Sequence, residues 1–119
     1  MGTPLTDQEL HNLAMNLVGH ELEAAGFEFL AINSKMGKIP QFVCVKEGQL
    51  YFIAVCYVTY PKDPLCYDSD LTQKIAAHAE SFNAKTMYAG VGISNAQDRR
   101  LPVYLNEPYI VDYHGLVEI

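Results

Sequence analysis

Asp63, Asp68 and Asp70 fall in and just after the segment YPKDPLCYDS, close enough along the chain to share a divalent cation through carboxylate oxygens. Aspartates in such loops also cap helices and close turns, so the trio has an alternative structural use. His11, His20, His78 and His114 include no i, i+4 pair, and Cys44, Cys56 and Cys66 no CxxC step, so no zinc-ligand or dithiol spacing is present. Gly90-Val91-Gly92-Ile93-Ser94-Asn95 starts like a dinucleotide-binding loop but lacks the third glycine and the strand-turn-helix setting that would bring a pyrophosphate to a helix N-terminus. No serine stands in a nucleophile elbow. No cofactor is implied by these patterns.

The chain has 119 residues, half of them hydrophobic, which suits one domain over 1–119 with its own core. Fourteen acidic residues against eight basic ones give a net charge of -6. The cations are scattered, with Arg99-Arg100 the one adjacent pair, and phosphate backbones are held by clustered cations that displace counterions. Nucleic acid is therefore an unfavoured partner. Eight tyrosines on an acidic chain suit half-buried strands and protein contact better than base stacking. MGTPLTDQEL lacks the basic start and apolar run of a signal peptide, and no stretch reaches membrane-span length, so the expected setting is cytoplasmic without membrane insertion.

Those residues must be positioned by local elements. Thr6 and Glu9 form a capping box, and Leu5 with Leu10 a hydrophobic staple, at the start of a helix whose apolar stripe is Leu10, Leu13, Ala14, Leu17, Val18, Leu22 and Ala25, ending at Gly26. On this helix His11 and His20 are expected to be exposed, as is His114. Phe27 to Asn33 reads as a strand, and Ser34 to Pro40 as a polar connection. Phe42 to Glu47 and Leu50 to Thr59 form a hairpin around Gly48-Gln49.

Two prolines and two aspartates make Tyr60 to Ser69 a loop, after which Asp70 with Gln73 is placed to cap a second helix. Leu71, Ile75, His78, Ala79 and Phe82 are its expected inner face, with His78 partly buried. Lys85 to Ser94 reads as a central strand in which Gly90 and Gly92 let a helix approach closely. A β-hairpin extension, Tyr109 to Tyr113 and Leu116 to Ile119 around His114-Gly115, completes the chain. Its exposed edge favours self-pairing, so a homodimer is expected.

This α/β order, α-β-β-β-α-β with a mixed central sheet, resembles the core of the restriction-endonuclease-like, or PD-(D/E)xK, superfamily. It is most similar to small bacterial endonuclease-like proteins. Gly26-Phe27 matches their "Gly-aromatic" step, Pro40-Gln41 falls on the "PD" aspartate, and Ala54-Val55-Cys56 falls on "(D/E)xK". Pairing Glu47 with Leu50 across the turn sets Gln41 opposite Cys56, and alternation puts Gln41, Val43, Val45, Phe52, Ala54 and Cys56 on one face. That face has neither carboxylate nor lysine.

Metal-assisted phosphodiester hydrolysis needs hard oxygen ligands and a group that activates water. Gln41, Ala54 and Cys56 do not supply them, and Glu21, Glu23 or Glu80 alone would be a poor replacement. The resemblance therefore implies an inactive nuclease-like domain that binds a protein partner. A second reading is a metal-dependent phosphodiester hydrolase relocated to Asp63, Asp68 and Asp70. Similar small chains carry the label of a subunit of the sodium-pumping NADH:quinone reductase. Three dispersed cysteines do not hold the cluster of that pump's iron-sulfur subunit, which leaves an accessory association as a third reading.

Overall fold

The computed structural model describes residues 2–34, 40–64 and 69–118, with no side chains described for 69–72. The capping box closes as its residues predict: Glu9 N–H donates to Thr6 Oγ1 at 3.2 Å and Thr6 N–H to Glu9 Oε1 at 2.9 Å, starting α1 over Asp7–Ala24. Then follow β1 (Glu28–Ile32), β2 (Phe42–Lys46), β3 (Gln49–Val58), α2 (Ser69–Glu80), β4 (Lys85–Asn95), β5 (Tyr109–Tyr113) and β6 (Val117–Glu118). They build an α/β domain around a mixed six-stranded sheet ordered β1-β2-β3-β4-β5, with β6 also on β4. β3 and β4 run parallel, and every other pair is antiparallel.

The helices cover opposite faces. Leu10, Ala14, Val18 and Leu22 of α1 pack with Ile53, Val55, Val91 and Ile93, while Ile75 and Ala79 of α2 pack with Phe52, Ala54 and Tyr88. Period-two alternation in β3 and β4 feeds the two layers, each buried large aliphatic side chain being worth roughly 1.5–3 kcal/mol. Among the described residues no helix is long and apolar enough to cross a membrane.

The hairpin turn is one residue earlier than the sequence suggests. Glu47 and Gly48 both have positive φ, 51° and 78°, the signature of a two-residue type I′ turn, so Lys46 pairs with Gln49. Phe42 is therefore opposite Ile53 and Gln41 next to Ala54, not Cys56. A shift of two keeps every side chain on its expected face, because the strand period is two.

Three further expectations change. α2 begins at Ser69, so Asp70 lies within its first turn and not at the N-cap position before it. α2 ends at Glu80, which leaves Phe82 beyond it and 56 % exposed. The element close to Gly90 is a loop, not a helix: a Cβ there would run into the Pro64 carbonyl oxygen, which also accepts from Tyr88 Oη at 3.1 Å.

In the C-terminal extension, β5 and β6 each pair with β4, the first against Val91–Asn95 and the second against Met87–Tyr88. Three residues, His114 to Leu116, span what Ala89 and Gly90 span on β4, and Gly115 at φ 91° takes up the extra length. Leu101–Leu105 borders the N-terminus, with Leu5 N–H donating to the Val103 carbonyl and Leu105 N–H to that of Thr3, both at 2.8 Å.

Candidate functional site

Gln41 precedes β2 and is 2 % exposed. Its N–H donates to the Ile53 carbonyl at 3.1 Å, and its carbonyl accepts from Asn33 N–H at 2.7 Å. Its side-chain Oε1 accepts the N–H of Val55, also at 2.7 Å. Pro40 stands where a longer β2 would continue the ladder, and the glutamine amide replaces the backbone acceptor that Val55 would otherwise lack. Ala54, 1 % exposed, sits between Phe52 and the α2 residues Ile75 and Ala79, with half-buried Cys56 beside the same cluster. The structure brings Gln41, Ala54 and Cys56 to one place, and that place is packed.

Of the aspartate trio, Asp63 alone has a described side chain. Asp63 is exposed on the loop after β3, while Asp68 and the side chain of Asp70 lie outside the described residues, as does Cys66. Glu21, Glu23 and Glu80 are exposed on their helices. Among the described residues no three of His, Cys, Asp and Glu converge as metal ligands. Cys44 is buried, and desolvation pushes its thiol pKa up to about 11, which keeps it protonated and unreactive near neutral pH.

The histidines exchange their expected roles. His78 is exposed, its ring 5.8 Å from Phe52 and 5.2 Å from Phe82. His11 is the buried one, 3 % exposed, with Nε2 lacking a hydrogen-bond partner among the described residues. The sign of this was present in the sequence: Met15 is buried too, and Met15, Val18 and Leu22 extend a helical row back to His11. Burial lowers the His11 pKa from its ordinary 6.5, because the charged form loses its water.

The openings among the described residues include one of about 240 Å³ bordered by Met15, His20 and Phe42, and two wider ones. The larger, about 380 Å³, separates α1 from the segment before β5 and is lined by Leu5, Leu13, Tyr104 and Tyr109 with Asn12 and Glu107 at its sides. The other, about 330 Å³, lies at the carboxyl ends of the parallel strands, where the loops leaving β3 and β4 meet β5. Lys62, Ser94, Arg99 and Asp112 face it. Sequence reading missed this grouping because its members lie up to 50 residues apart, from Lys62 to Asp112.

The family model described as a domain of unknown function, DUF8840, matches residues 8–119, from the first turn of α1 to the last residue. This chain belongs to the DUF8840 family. No curated protein and no solved structure matches it. The match spans the whole sheet and both helices, so the packed hairpin and the polar cleft both lie within the DUF8840 domain.

Proposed function

We propose that this DUF8840 protein is a catalytically inactive, restriction-endonuclease-like domain that serves as a cytoplasmic protein-binding module. The reading rests on Gln41: at the position where the nuclease-like pattern has its metal-binding aspartate, the side chain is committed to Val55 N–H, beside a sealed Ala54. A neutral amide already used as an acceptor, next to an alanine and a cysteine, provides neither the charge nor the open coordination that Mg²⁺ requires.

The binding surface is the outer edge of β5. This strand ends the sheet order, and Tyr109, Ile110 and Val111 are 38 to 44 % exposed along it. An open edge with apolar side chains accepts an added strand, from a partner or from a second copy in two-fold pairing. The test joins a nuclease assay with Mg²⁺ and Mn²⁺ on single- and double-stranded DNA and RNA to light scattering and affinity capture. Expected are no metal-dependent cleavage and an association lost in Ile110→Lys. Cleavage abolished by Asp63→Asn would replace this reading with the relocated hydrolase.

A further inference from the structure

We infer that the cleft at the carboxyl ends of β3 and β4 is a binding site for a small phosphomonoester. Gly92 and Ser94 of β4 form its floor, and its walls are Tyr60 and Lys62 after β3, Arg99 after β4, and Asp112 of β5. Ile110 and Val111 of β5 border the cleft as well, but the inference rests on Lys62, Ser94 and Arg99 and survives the failure of the protein-binding reading.

Charge is the first ground. A chain with net charge -6 has only eight cations, yet two of them face one cleft, and neither Lys62 nor Arg99 is ion-paired among the described residues. The neighbouring Arg100 is not part of this pair. Its Nε and Nη2 hold the two carboxylate oxygens of Asp98, each at 3.1 Å. The carboxylate in the wall, Asp112, is 2.7 Å from His114 Nε2, and the cleft still has two cations facing it against this one acid.

Shape is the second. Gly92 leaves the floor low: a Cβ there would come within 3.2 Å of Asp112 Cβ, so a side chain would crowd the opening. Ligands of open α/β sheets sit beyond the carboxyl ends of parallel strands, and about 330 Å³ is at the lower end of small-molecule sites. A guanidinium fork, an ammonium point charge and the Ser94 hydroxyl together suit the three terminal oxygens of a phosphate. The Tyr60 ring, 49 % exposed at the rim, offers a face for an organic group attached to it. Two cations in a concave site on an acidic protein suit a compact anion, not a nucleic-acid backbone, which needs an extended basic track.

The test is a two-dimensional amide NMR titration of the full chain at low ionic strength, with inorganic phosphate, adenosine monophosphate and adenosine as separate probes. Saturable shifts centred on Gly92, Ser94 and Arg99 are expected with both phosphate-bearing probes and not with adenosine. Lys62→Ala and Arg99→Ala should each weaken phosphate binding about tenfold, the loss of one charge-assisted hydrogen bond. Arg100→Ala should leave it within about twofold, since Arg100 is held by Asp98. Both cleft residues are exposed, so these variants retain the core, and unchanged spectra away from the cleft verify it. Absent shifts at 10 mM phosphate (about the weakest affinity worth assigning to a site), equal losses in Arg100→Ala, or tighter binding of a single-stranded oligonucleotide than of the mononucleotide would each overturn the inference.

Discussion

The Gln41 side chain accepts the Val55 backbone N–H at 2.7 Å, with both residues almost fully buried. A side chain thus completes the hydrogen bonding of the sheet where β2 stops short of β3. Removing it while keeping the site dry leaves a buried donor without an acceptor. Gln41→Leu should lower unfolding free energy by roughly 1–3 kcal/mol and speed hydrogen exchange at the Val55 amide. Unchanged protection of that amide would show that the bond is dispensable.

Restoring a nuclease-like set with Gln41→Asp, Ala54→Glu and Cys56→Lys should produce an insoluble protein or one that unfolds at much lower urea. The aspartate is one methylene shorter than Gln41, and the glutamate enters a position 1 % exposed. Burying charge without adequate pairing costs several kcal/mol, a large share of the ~5 to 15 kcal/mol that stabilises a typical domain. A urea midpoint equal to that of wild type would mean that this face opens, and would contradict the role assigned to Gln41.

His11 links stability to pH. Burial holds its folded-state pKa below 6.5, so the folded chain keeps it neutral while the unfolded chain gains a proton as pH falls through that value. Stability is therefore fully present above about pH 6.5 and declines as pH drops toward the lowered folded value. In His11→Leu this decline should be shallower, and removal of the orphaned Nε2 should add roughly 1 kcal/mol at pH 7. Urea midpoints from pH 5 to 8 give both quantities; parallel curves for the two proteins would remove His11 as the source.

Two glycine-to-alanine changes should have opposite signs. At Gly90 the new methyl would run into the Pro64 carbonyl oxygen, and relief requires moving the loop off β4. A loss of about 1–3 kcal/mol is expected, as for overpacking. At Gly19, within α1, a Cβ would touch Phe42 at an ordinary 3.5 Å, so alanine should gain roughly 0.5–1 kcal/mol from helix propensity. Thermal melts of the two variants decide it, and losses of similar size would count against the Pro64 contact.

Features that depend on neighbours in the chain were legible in the order of the residues. Thr6 and Glu9 announce the start of α1, the glycine at 48 announces a hairpin, and alternation assigns Phe52 and Ala54 to one face and Ile53 and Val55 to the other. Even the mistaken turn position preserved those faces, since a slip of two residues does not change strand parity. What stayed hidden depends on groups far apart along the chain. Residue order does not tell that Gln41 Oε1 meets Val55 N–H, that Pro64 lies over Gly90, or that β4 is the partner of both β5 and β6. Nor does it tell that His78 is left exposed, or that Lys62 and Arg99 share a cleft, because these follow from how the sheet orders its strands and where its loops converge. Hydrogen bonding and burial are settled by three-dimensional neighbours, and those neighbours come into contact only when the sheet has formed.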